Sequence, residues 1–96
     1  MIKHIVCFKL KDNSPEKKRE AAEKLLSMKG KVPMIKSIDV GADFLCSERS
    51  YDVILQVTLE NREMLKAYQN DEYHCSCVKP YMHDVREASV AVDYDI

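Results

Sequence analysis

An α+β domain built on one four-stranded antiparallel sheet is what this chain predicts, and three observations carry that expectation. The 96 residues suit a single domain spanning 1–96. Four stretches alternate apolar and polar residues with period two, as half-buried strands do. Between them lie stretches with apolar residues at helical spacing, introduced by residues that cap helices well.

Residues 2–10 read as the first strand, with Ile2, His4, Val6, Phe8 and Leu10 on one face and Lys3, Ile5, Cys7 and Lys9 on the other. Asp12-Asn13-Ser14-Pro15 ends it and starts a helix. Ser14 is a good N-cap, Pro15 fits the first helical position, and Glu16 suits the positive end of the helix dipole. Ala21, Ala22, Leu25, Leu26 and Met28 form an apolar stripe. The helix is expected to run to about Lys29, with Gly30 as its left-handed terminator. Residues 35–44 read as the second strand, with Ile38, Val40, Ala42 and Phe44 in phase and Gly41 as a candidate bulge. Residues 45–50 form a polar loop. In a third strand over 51–59, Tyr51, Val53, Leu55, Val57 and Leu59 alternate with Asp52, Ile54, Gln56 and Thr58. Asn61 caps a helix through about Gln69, with Met64, Leu65 and Tyr68 at helical spacing. Asn70-Asp71 interrupts it, and a shorter helical segment is expected over 71–78, ahead of Pro80. The last strand covers 87–94, with Ala88, Val90, Val92 and Tyr94 on one face and Ser89, Ala91 and Asp93 on the other.

The order β-α-β-β-α-β is that of two split β-α-β units, a ferredoxin-like sheet with both helices on one face. The uncovered face of such a sheet should be polar. Here it carries Ile5, Cys7 and Ile54, and the last strand is small or apolar on both sides. A second copy of the chain is the expected cover: two sheets facing one another in a homodimeric α+β barrel.

Composition excludes several classes. The net charge of −1, with 15 basic and 16 acidic residues interspersed, lacks the basic stripe of a nucleic-acid binder. Lys17-Lys18-Arg19 sits among Glu16, Glu20 and Glu23 and reads as a solvated helix face. No apolar run approaches the ~18 residues of a membrane span. The opening residues go straight into a strand pattern without a signal-peptide h-region. A cytoplasmic protein with its four cysteines reduced is therefore expected, with no membrane partner and no cofactor.

The residues also resemble a known family. Ile2-Lys3-His4-Ile5-Val6-Cys7-Phe8-Lys9, Val40-Gly41-Ala42-Asp43, Tyr51-Asp52, Tyr68-Gln69-x-x-x-Tyr73-His74 and Val90-Ala91-Val92-Asp93 occur in the order found in the stress-responsive A/B barrel (Dabb) domain, a branch of the dimeric α+β barrels. The resemblance implies a homodimer with a pocket between sheet and helices in each subunit. It extends distantly to plant polyketide cyclases of the olivetolic acid cyclase type, which perform an aldol cyclisation with a histidine and a tyrosine. Those positions fall on His74 and Tyr68, and a strand-one pocket histidine falls on His4. The sequence departs from the cyclases elsewhere. A further pocket histidine falls on Val53, an aromatic near the key histidine falls on Cys77, and first-helix aromatics become small or polar, so cyclase specificity does not carry over.

The chemistry of these residues suits the implied roles. Imidazole titrates near neutral pH, as a general base must, and a tyrosine hydroxyl can donate to a carbonyl that develops enolate charge. The expected site is thus His74 as base, Tyr68 as hydrogen-bond donor and His4 beside them. Val6, Phe8, Leu25, Val53, Leu55, Cys77 and Tyr81 are expected to line a pocket for a small apolar or carbonyl ligand. The competing reading is a non-enzymatic, stress-associated dimer in which both histidines are structural. A zinc site at His74-Cys75-Ser76-Cys77, with His83 nearby, is disfavoured. Cys75 and Cys77 point about 200° apart on a helix and no second Cys pair follows. A Cys77 nucleophile activated by His74 lacks an orienting third residue.

Overall fold

The computed structural model describes residues 1–96. β1 (Ile2–Leu10) pairs antiparallel with β3 (Val53–Leu59) on one side and β4 (Arg86–Asp95) on the other, and β2 (Ser37–Ala42) lies at the edge beside β3. The sheet order is therefore β2-β3-β1-β4, the ferredoxin-like arrangement that the element order predicts. Its register fixes what each face carries. On one face His4 lies opposite Val57 and Asp93, Val6 opposite Leu55 and Ala91, and Phe8 opposite Val53 and Ser89. On the other, Ile5 lies opposite Gln56 and Val92, and Cys7 opposite Ile54 and Val90.

Helices cover the first face only. α1 (Pro15–Leu26) starts where Ser14 Oγ accepts from Lys17 N at 3.3 Å, and α2 (Arg62–Gln69) where Asn61 Oδ1 accepts from Met64 N at 2.9 Å. Phe8, Leu10, Val53, Leu55, Val57 and Leu59 from the sheet pack against Ala21, Leu25, Met28 and Tyr68, all buried. The opposite face has no cover from this chain, and Val90, Val92 and Tyr94 stay 50%, 61% and 45% exposed there.

Several boundaries differ from the sequence reading, each for a local reason. α1 closes at Leu26, and the chain turns through Gly30 at φ +80°, where Lys31 N and Val32 N both donate to the Met28 carbonyl. Gly41 is not a bulge, since β2 and β3 pair without interruption. The register shift lies instead between Lys9 and Leu10, against β4. Phe44 is outside β2 and 93% exposed, because Asp43 Oδ2 accepts from Cys46 N and turns the chain away from the sheet. β3 begins at Val53, since Asp52 is used as a clasp: its N–H donates to the Phe8 carbonyl while its carboxylate accepts from Leu10 N at 2.7 Å.

Two corrections matter more. Lys18 is not solvated with its neighbours. It is 4% exposed, and its ammonium donates to the Asp43 carbonyl at 3.1 Å and to Cys46 Sγ at 3.4 Å, tying α1 to the β2–β3 loop. The segment ahead of Pro80 does not stop there. It is helical from residue 72, widens into a π-helical turn over His74–Val78, and continues as α3 (Lys79–Val85). A proline inside an α-helix clashes with the carbonyl four residues back and cannot donate to it. The π turn, in which Lys79 N donates to His74 O, opens the backbone just before Pro80 and relieves that conflict.

Asp52 gives a direct test of the clasp. Replacing it with alanine leaves Leu10 N–H buried without an acceptor, which costs about 1–3 kcal/mol. Urea denaturation of Asp52→Ala should show a lowered midpoint at unchanged slope.

Candidate functional site

A cavity of about 170 Å³ opens between the helix-covered face of the sheet and the C-terminal helix. The alternation of β1 delivers His4, Val6 and Phe8 to it, β3 adds Leu55, and α1 adds Leu25. Tyr68 comes from α2, His74 and Val78 from the π turn, and Lys79, Met82 and His83 from α3; Arg86 and Ser89 close it from β4. A larger hollow of about 420 Å³, lined by Met1, Ile2, Glu60, Asn61, Arg62, Glu63 and Asp95, is more open and holds neither histidine nor tyrosine. The chemistry is therefore concentrated in the smaller cavity.

His4, Tyr68 and His74 lie side by side in it. The Tyr68 ring sits between the two imidazoles, edge-on to His4 at 5.6 Å between centroids and tilted against His74 at 4.6 Å. Of the expected lining, Val6, Phe8, Leu25 and Leu55 are at the cavity wall. Three others are not. Val53 is 2% exposed in the core, Cys77 leaves the wall to Val78, and Tyr81 packs half-buried against the core outside this cavity, its ring 5.8 Å from the Lys24 ammonium. Both cysteine positions follow from the π turn. Cys75 Sγ donates to the Gln69 carbonyl at 3.2 Å on the outer side, and Cys77 Sγ lies 3.8 Å from Ser76 Oγ. No three of His, Cys, Asp and Glu are grouped to hold a metal ion.

His74 is held from its backbone, whose N–H donates to Asp71 Oδ2 at 3.1 Å, so Asp71 caps the helix that carries the π turn. The ring lines the cavity, and its Nδ1 is shut away from solvent without a hydrogen-bond partner. Burial holds the imidazole below its ordinary pKa, and the Lys79 ammonium adds to the effect; the Gln69 carbonyl and Asp71 carboxylate pull the other way. His74 is therefore neutral at pH 7, the form in which a ring nitrogen accepts a proton.

Tyr68 departs from its expected presentation. It is 1% exposed, and its hydroxyl donates to Met28 Sδ at 3.7 Å, a core side chain outside the cavity wall. Burial pushes its pKa well above the usual tyrosine value, so the hydroxyl keeps its proton. His4 Nδ1 donates to Asp93 Oδ1 across the β1–β4 pair, which fixes the ring orientation and leaves Nε2 as the free nitrogen. The sequence reading missed Asp93 as a site residue, although it shares a face with Ser89 and stands in register with His4. It also missed Lys79, Arg86, Ser89 and the lining role of His83. Lys79 and His83 share one face of a helix whose continuation past Pro80 was unforeseen.

Residues 2–96 match the family model of the stress responsive A/B barrel domain. Among solved structures, a dimeric ferredoxin-like protein from Bacteroides fragilis is 26% identical, with 99% of this chain and 95% of that chain covered at a TM-score of 0.81. A dimeric ferredoxin-like protein from Thermobifida fusca is 24% identical, with 99% and 90% covered and a TM-score of 0.81. A Dabb family protein from Mesorhizobium loti shares the fold at a TM-score of 0.83, with 14% identity and 99% and 95% covered. No curated protein matches the chain in sequence. No helix is long and apolar enough to cross a membrane.

The state of His74 is open to measurement. The folded protein binds its proton less readily than the unfolded chain, so this residue weakens the fold as pH falls below the ordinary 6.5 and has no such effect above it. NMR titration of the ring carbons should place its midpoint below 6.5. His74→Gln should lose less stability than the parent protein between pH 7 and pH 5, about the range over which an ordinary histidine charges.

Proposed function

The chain belongs to the stress responsive A/B barrel domain family, and from that premise we propose that it works as a homodimer whose subunits each bind a small carbonyl compound beside His74, which removes a proton from the adjacent carbon. The observation that carries this reading is a neutral imidazole, one nitrogen sealed from solvent, whose ring lines a cavity with an apolar inner wall. The proton passes to His74 Nε2, and the electron pair left on carbon spreads onto the carbonyl oxygen as an enolate. Tyr68 serves as donor to that oxygen by rotating its O–H bond away from Met28. A thioether is a weak acceptor, so little is lost in the exchange. His4, oriented by Asp93, completes the polar wall.

Pairing of two copies rests on the uncovered sheet face. Ile5, Cys7 and Ile54 stand in register there with Val90 and Val92, and Tyr94 extends the row. A contiguous apolar surface of this kind marks an interaction site. The solved relatives from Bacteroides fragilis and Thermobifida fusca are described as dimeric. A second reading, a non-catalytic binding dimer, draws on the Tyr68 hydroxyl, which is turned toward the core.

Deuterium exchange separates the two readings. With acetophenone in D2O, the protein should speed methyl-proton exchange by about 10²-fold or more over buffer, the scale of a positioned general base. His74→Ala, checked for folding by circular dichroism, should abolish the gain. Exchange at the buffer rate, or exchange that survives His74→Ala, would leave binding without catalysis. Light scattering at micromolar concentration should return twice the chain mass, and Val92→Arg should halve it. A monomeric parent protein would overturn the pairing.

A further inference from the structure

The cavity wall has an uneven charge. The chain holds 16 acidic and 15 basic residues, yet Lys79 and Arg86 line the cavity and no aspartate or glutamate is among its lining residues. All three histidines of the chain are there as well. Neither Lys79 nor Arg86 takes part in an ion pair, a state they share with most of the chain's basic residues; Lys17, Arg19, Lys36 and Arg62 are the paired ones. Two acids adjoin the site from behind the histidines, and both are engaged: Asp71 accepts from the His74 backbone and Asp93 from His4. Arg86 is half-buried at the start of β4, while Lys79 and His83 are exposed at the mouth. The inner wall is apolar, built from Phe8, Leu25, Leu55, Val78 and Met82.

We propose that the ligand of this cavity is a small organic acid, with a body the size of one aromatic ring against the apolar wall and its carboxylate at the mouth between Lys79 and Arg86. The inference rests on the reading of the cavity as a small-molecule site and adds the ligand's charge and size. Arg86, half-buried at the wall, gains by pairing, the exposed Lys79 adds a second positive charge at the mouth, and a carboxylate supplies the counter-charge that the cavity lining lacks. Arg86 offers a planar fork for two carboxylate oxygens, and Lys79 a mobile ammonium. The size follows from the 170 Å³ available, since a dry cavity of about 150 Å³ accommodates benzene. A cationic ligand of the same shape meets two like charges and is rejected. Lys79 is felt within the site, because its charge helps hold His74 unprotonated.

Three probes of matched shape test this by calorimetry and by NMR shifts of the His74 ring: phenylacetate, the neutral 2-phenylethanol and the cationic 2-phenylethylamine. Phenylacetate should bind about tenfold tighter than the alcohol, with the amine weakest, and its affinity should fall as salt rises. Lys79→Met and Arg86→Met should each weaken phenylacetate by about three- to tenfold and leave the alcohol within about twofold. Retained binding of the alcohol also reports that each variant is folded. If the alcohol binds as tightly as the acid, or if both variants bind the acid like the parent protein, the anionic ligand is ruled out while the cavity stands as a small-molecule site. If no probe binds at millimolar concentration, the anionic ligand and the small-molecule reading fall together.

Discussion

Antiparallel pairing of β1 with both β3 and β4 is the constraint on which the rest of the molecule depends. It places one strand at the middle of the sheet, and the period of two then assigns every other residue to opposite tasks. His4, Val6 and Phe8 go to the helices and the cavity. Ile5 and Cys7 go to the bare face. Asp93 reaches His4 only because β4 lies beside β1 in that register, and the same register sets Val92 beside Ile5. The cavity and the proposed pairing surface are thus the two sides of one set of backbone hydrogen bonds.

The helical layer positions the remaining chemistry by a departure from ideal geometry. Pro80 would break an ordinary helix, and the π turn over His74–Val78 accommodates it. The same turn carries His74 beside Tyr68 and lets α3 continue, so that Lys79, Met82 and His83 reach the cavity. Asp71 anchors the entrance to this segment through the His74 backbone rather than its ring, which leaves the imidazole free of a strong hydrogen-bond partner. A neutral, weakly tethered imidazole at the cavity is the state that the proposed proton abstraction requires.

The strands and the two main helices were legible because their patterns are strong and local. Alternation marked β1 and β3, and Ser14 and Asn61 marked helix starts that the backbone adopts. The resemblance placed His4, Tyr68 and His74 together, and they are neighbours in space. What escaped depends on long-range packing. Lys18 reads as solvated among its charged neighbours, and only the β2–β3 loop folding over α1 buries it. The Tyr68 hydroxyl is drawn toward a methionine forty residues away. Cys77 and Tyr81 leave the expected wall because a π turn rotates side chains differently from an α-helix, and no local rule announces such a turn. Arg86 joins the site from a helix-to-strand junction, where no periodicity guides the eye.

The register shift between Lys9 and Leu10 carries a last consequence. It confines the mismatch between β1 and β4 to the end of the sheet near Arg86, and from Ile2 to Lys9 the ladder runs unbroken. A slip of one residue along that ladder would remove the carboxylate from beneath His4 and in the same step turn Val90 and Val92 inward. Single-residue insertions or deletions in the middle of β4 therefore cannot damage the cavity and spare the outer face. Length changes can be absorbed only at the bulged end, and related chains should accumulate them there.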